Sequence, residues 1–188
     1  MTVMIGFSTR KYNPLSALIR KVTKSSASHA WMLYYDPFFS RPMVFEATEW
    51  GIRVIDAGLF WERNKVVSVF NPKVNLTKAV KASGNLLGGL YDFFGLFGMA
   101  FVLAWARWFH RKIRNPLENP RGMFCSELVV AKMEESKYPG MTEMPSTVSP
   151  MALMEFLDRN GDRLIDFPAS PDDCFRSLVT YHDKPKQE

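Results

Sequence analysis

Cys125, His29 and Glu46 lie far apart in the chain, yet they have the types that nucleophilic catalysis needs. Cys125 sits in Met123-Phe124-Cys125-Ser126-Glu127-Leu128. Leu128, Val129, Lys132 and Met133 follow it at helical spacing, so the composition reads as a helix from Cys125 to Ser136. A thiol in the first turn of a helix meets unpaired backbone N–H groups and the positive end of the helix dipole. Both favour the thiolate and lower a pKa that is otherwise ~8.5. The loop from Arg114 to Gly122, with its two prolines and one glycine, leaves the sulfur reachable, and the helix behind holds it still. The competing reading is a small apolar side chain that is merely buried.

A cysteine nucleophile needs a base, and the chain has three histidines. His182 belongs to the polar tail. His110 stands in Trp108-Phe109-His110-Arg111, among positive charges that lower its affinity for a proton. His29 opens a strand directly after the small polar run 24–28, where a side chain can reach a cleft. A third group must orient the imidazole and stabilise its charged form. If 29–35 and 43–47 form a hairpin turning at Pro37-Phe38, opposed residues have numbers that sum to 75, and His29 faces Glu46. Glu49 then falls on the other face, because strand side chains alternate.

These residues must be positioned by strands and helices that the pattern also outlines. Val3–Phe7, His29–Tyr35, Met43–Ala47, Gly51–Ile55 and Lys65–Phe70 read as strands, with turns at Asp36–Pro42 and Asn71-Pro72. Leu15, Leu18, Ile19 and Val22 have helical spacing. Ser149-Pro150 is a helix start, with Ser as cap and Pro in the first turn. That helix runs to Arg159 and stops near Gly161. The expected fold class is α+β, a small antiparallel sheet or half-barrel packed against helices that include the one begun by Cys125. One domain over 1–170 is expected, with a C-terminal extension over 171–188 that frays at its end.

A chain of 188 residues, 47% hydrophobic, supports one real core, and its net charge of +5 suits an anionic partner without naming one. Two cysteines are too few for a disulfide-stapled secreted domain. The apolar start Met1–Ser8 is too short for a signal peptide, and Arg10 and Lys11 follow it instead of preceding it. A cytoplasmic or virion-associated location follows as the expectation. From Phe93 to Ala106 no residue is charged, a run too short for the roughly 20 residues that span a bilayer. It reads as a buried helix or as a segment dipping into a membrane interface, where Trp105, Trp108, Arg107, Arg111 and Lys112 would suit its end.

The segments Ser28-His29-Ala30-Trp31-Met32, Val44-Phe45-Glu46-Ala47 with Gly51-Ile52-Arg53-Val54, and Phe124-Cys125-Ser126-Glu127-Leu128-Val129 together resemble the circularly permuted NlpC-type papain-like hydrolases. Leu18-Ile19-Arg20 and Val148-Ser149-Pro150-Met151-Ala152-Leu153 extend the resemblance to roughly residues 3–165. No Gly-Asp pair opens the chain, and the run 93–109 is longer and more apolar than the family pattern. The resemblance implies a Cys-His-Glu hydrolase, with His29 as base, Glu46 as its orienting partner and Cys125 forming an acyl-enzyme. It implies a peptide- or acyl-containing substrate, with the peptidoglycan of a cell wall first. Tyr91 and Ser126 are candidates for meeting the oxyanion or positioning the substrate.

A lipid acyl hydrolase or acyltransferase at a membrane interface, contacted through residues 93–109, is the second expectation. A non-catalytic binding module on the same fold is the third. No cofactor and no metal is expected: the chain has no zinc spacing and no phosphate loop, and Asp158–Asp162 lacks the glutamate that would complete a calcium loop. The basic residues Arg107, Arg111, Lys112 and Arg114 read as a solvated face, with no specific nucleic acid implied.

Overall fold

Val3, Ile5 and Phe7 point to one side of their strand and Met4 to the other, and all four are buried, so both faces of the sheet carry a core. A computed structural model of the chain describes residues 2–11, 16, 17, 20, 26–48, 50–91, 122–141, 148–160, 162–165 and 170–174. Its strands are β1 (Val3–Arg10), β2 (His29–Asp36), β3 (Arg41–Thr48), β4 (Gly51–Asp56), β5 (Asn64–Asn71), β6 (Leu90–Tyr91), β7 (Gly122–Met123) and β8 (Arg163–Ile165). Its helices are α1 (Ala57–Arg63), α2 (Thr77–Lys81), α3 (Cys125–Glu135) and α4 (Pro150–Arg159), with a 3-10 turn at Ala82–Leu86. The protein is α+β. Six strands make an open antiparallel sheet in the order β4-β3-β2-β1-β5-β8, so of the two expected forms the sheet is the one found.

One face packs Ile5, Phe7, Met32, Phe45 and Phe70 against Leu128, Val129 and Met133 of α3 and Leu153 and Leu157 of α4. The other packs Met4, Trp31, Leu33, Val44 and Val69 against Ala57 and Phe60 of α1 and against Cys174, in the helical turn 171–174. The core therefore continues past the boundary expected at 170. Gly6 lies opposite Trp31, and a Cβ there would stand 2.2 Å from the indole ring. Only glycine lets the ring lie across β1, where its Nε1 donates to Ser8 Oγ at 3.1 Å.

Ser149 caps α4 by accepting from the Ala152 amide, and Pro150 follows it, as the sequence suggests. The helix stops at Asn160, whose amide group reaches back to the Phe156 carbonyl; Gly161 lies outside the described residues. Asp162 accepts from the Tyr138 hydroxyl and the Lys73 amide, which gives that acidic cluster a structural role. Of the helix expected at 15–22, residues 16, 17 and 20 are helical and the others lie outside the described residues. The run 93–109 also lies outside them. Among the described residues, no helix is long and apolar enough to cross a membrane.

Two strands of two residues matter for the site. The loop after the 3-10 turn lines the free edge of β4, where Ile52 N–H donates to Gly89 and Gly88 N–H to Ile52. β6 follows and pairs in parallel with β7, Tyr91 beside Met123. The chain thus leaves at Tyr91 and returns two residues before Cys125.

Candidate active site

The start of β2 is where the sheet opens. β2 pairs with β1 as far as His29, opposite Ser8, but its ladder with β3 stops at Met32, opposite Phe45. β3 continues to Thr48 paired with β4 alone. Residues 29–31 therefore have a neighbour on one side only. The first turn of α3 meets this notch, and the Ala30 amide donates to the Cys125 sulfur in place of a strand partner. Before the notch, Ser28 N–H donates to Ser8 and the Ser16 and Ser28 hydroxyls share a 2.6 Å hydrogen bond, so the approach to His29 is fixed.

Cys125 is the first residue of α3, and its neighbours close the helix end. The Phe124 N–H donates to the Glu127 carboxylate at 3.3 Å, half of a capping box. A negative side chain in the first turn also suits the dipole. The Ser126 amide donates to the Cys125 sulfur. The Ser126 hydroxyl is fully buried and donates to the Val148 carbonyl at 2.6 Å, tying α3 to the start of α4. That bond occupies the hydroxyl of Ser126, one of the residues expected to meet the oxyanion or position the substrate. The Tyr91 side chain lies outside what is described, while its backbone is in β6 beside β7, which leads into α3.

His29 links the other two groups. Its Nε2 stands 2.7 Å from Glu46 Oε2, and its ring hydrogen-bonds Cys125. With Nε2 held by the carboxylate, Nδ1 is the nitrogen left to exchange a proton with the thiol. One ring face stacks on Phe60 of α1, centroids 6.3 Å apart, which holds the imidazole plane. His29 is 15% exposed, and the two groups it joins, Cys125 and Glu46, are each 2% exposed.

The register differs from the expected one by two. Opposed residues of β2 and β3 sum to 77, because Asp36 and Arg41 close a four-residue turn whose Phe38 and Phe39 amides donate to Asp36. A shift of two preserves parity. Glu46 stays on the His29 face and is reached diagonally, with the strands parted between them.

One participant is not singled out by sequence. Arg53 of β4 lies opposite Glu46, and its Nε and Nη2 donate to Oε1 at 2.9 and 2.7 Å. The two-residue connection Glu49-Trp50 was the available signal. A turn that short pairs Thr48 with Gly51, and counting outward pairs Glu46 with Arg53.

Electrostatics follow from this chain of contacts. Burial alone would push the Cys125 thiol up, but the hydrogen bond and charge of His29, with the Ala30 and Ser126 amides, outweigh it and bring the thiol down. Burial pulls His29 down, and its bonds and charge interactions with Cys125 and Glu46 reverse this, raising it to about 10. Burial would raise Glu46 too; His29 and then Arg53 hold it below the usual carboxylate range. All three directions favour the charged forms of the groups, a thiolate, an imidazolium and a carboxylate.

No family model matches the chain, and no curated protein does. Among the described residues, no group of three His, Cys, Asp or Glu side chains is gathered to hold a metal ion.

Proposed function

We propose that the chain is a cysteine hydrolase of the circularly permuted NlpC-type papain-like kind, cleaving an amide or ester through an acyl-enzyme on Cys125. The observation that carries this reading is His29, hydrogen-bonded on one side to a helix-start thiol and on the other to a buried carboxylate. The thiolate attacks the carbonyl carbon, the C–S bond forms and the carbonyl electrons move to oxygen. The Cys125 N–H at the helix start is the donor at hand for that oxyanion. As the C–N or C–O bond breaks, the leaving group takes the imidazolium proton. Water then gives a proton to His29 and its hydroxyl to the acyl carbon, and the thiolate leaves. Glu46 moves no proton; it keeps the ring oriented and its charge compensated.

A specific observation favours an acyl-lipid substrate as the second reading beside wall peptides. The β6–β7 pair brings Tyr91 beside Met123, two residues before Cys125, and these two flank in sequence the uncharged run 93–106. The test offers the protein a p-nitrophenyl ester, a peptidoglycan stem peptide and mixed phospholipid vesicles. Intact-mass measurement should find an acyl adduct on Cys125 with one of them, and Cys125→Ala should abolish it. Absence of any adduct from all three, with a thiol of ordinary acidity, would overturn the hydrolase reading.

A further inference from the structure

Glu46 receives its partners from two different strands, and each strand takes one oxygen. His29 of β2 uses Oε2, while Arg53 of β4 directs both Nε and Nη2 at Oε1. Two donors on one oxygen fix the rotation of the carboxylate, so that Oε2 is always the oxygen presented to the imidazole. A single ammonium could not do this, because it is a point charge with no fixed edge. Arg53 is also held in register, directly across from Glu46 in the β3–β4 ladder.

Buried at 2% exposure, Glu46 needs a compensating charge that does not depend on the protonation of His29. The guanidinium supplies a permanent one. Among the described residues, the ionisable groups acting on Glu46 are His29 and Arg53, and those acting on His29 are Cys125 and Glu46. α1, packed on the same strands, meets His29 with the Phe60 ring, and its charged Glu62 and Arg63 are exposed.

We infer that Arg53 is a positioning residue of the catalytic centre: it locks one oxygen of Glu46, and so aims and charges the imidazole that prepares Cys125. This inference rests on the thiolate reading of the site and adds a fourth member to it. The hydrogen bonds of the Arg53 side chain go to Glu46. Its effect reaches the sulfur only through Glu46 and His29.

The experiment measures the pH dependence of Cys125 alkylation by iodoacetamide, by peptide mass mapping, in the full chain. Wild type is compared with Arg53→Gln, Arg53→Lys, Glu46→Gln and the double variant Arg53→Gln/Glu46→Gln, with circular dichroism recorded for each. Arg53→Gln should move the midpoint up by about one pH unit, a roughly tenfold slower reaction below it. Arg53→Lys should restore part of that shift, and it serves as the test if the Gln variant fails to fold. The double variant should react like Glu46→Gln alone, because Arg53 acts through Glu46. A depressed wild-type midpoint that neither Arg53 variant moves would overturn the inference while leaving the nucleophile intact. Additive effects in the double variant would also overturn it. An ordinary wild-type midpoint would remove the thiolate reading itself, and this one with it.

Discussion

Cys125 and Cys174 are both free and both buried, at 2% and 0% exposure, yet their surroundings drive their protons in opposite directions. Cys174 ends a helical turn against Met4, Trp31 and Phe60, on the sheet face away from α3. Burial there is reinforced by the neighbouring Asp173, and the thiol is pushed up to about 12. Cys125 suffers the same desolvation but faces an imidazole and two backbone amides, and its thiol goes down. Depth is shared by the two sulfurs, so depth does not decide reactivity. What decides it is whether the surrounding dipoles and charges favour the anion.

The largest effect expected from this contrast is selective labelling. At pH 7, iodoacetamide should modify Cys125 faster than Cys174 by about a thousandfold or more, since the thiolate fractions differ by at least that much. Peptide mapping reads the ratio directly, and comparable labelling of the two would break the comparison. Next, His29→Ala should slow Cys125 alkylation at pH 7 by about a hundredfold, as expected for loss of a base and its charge. The sign is fixed by both partners. The reactive pair exists above the lowered thiol pKa and below the raised pKa of His29, about 10, so the wild-type rate should form a broad plateau between them. A His29→Ala profile that overlays the wild type would sever the sulfur from its base.

How much of this was legible beforehand depends on the range of each signal. Five of the six strands of the sheet are legible in short apolar runs, and the Cys125 helix in its spacing, because both patterns are local; the three-residue β8 is not. His29, Glu46 and Cys125 were found because residue type and strand parity survive an error of two in register. The turn of Asp36 to Arg41 set the true register, and a proline-containing loop does not announce its length. α1 was missed: its seven residues include Gly58, and only Asp56, which accepts from the Leu59 amide, marks its start. β6 and β7 were illegible, since strands of two residues have no period. The notch in the sheet was illegible too, because nothing in a sequence says where a ladder stops.

A smaller effect tests whether the two sulfur environments are insulated. Gly6→Ala forces a methyl into the Trp31 ring and should cost about 2 kcal/mol in stability by denaturant titration. Trp31 contacts Phe60, which stacks on His29, with ring centroids 4.8 and 6.3 Å apart. Alkylation of Cys125 should nonetheless stay within about threefold of wild type, because Glu46 and the sulfur hold the imidazole by charge-assisted bonds. A tenfold drop would mean that the packing behind Trp31 reaches the reacting sulfur. The smallest effect belongs to Cys174→Ala. It should cost about 1 kcal/mol by removing one buried atom, and it should leave Cys125 reactivity unchanged.

The parallel pairing of β6 with β7 has a consequence for how this protein could diversify. It brings Tyr91 and Met123 side by side, so the residues between them join two points already held together by backbone hydrogen bonds. Where two points of a chain are already tied, the entropy of closing the loop between them grows slowly with its length, by about 0.6 kcal/mol for each doubling. The length of sequence between them can therefore change at small entropic cost to the pairing of β6 with β7. Such a change would fall next to Cys125 in the sequence, while His29, Glu46 and Cys125 keep the strands and helix that hold them.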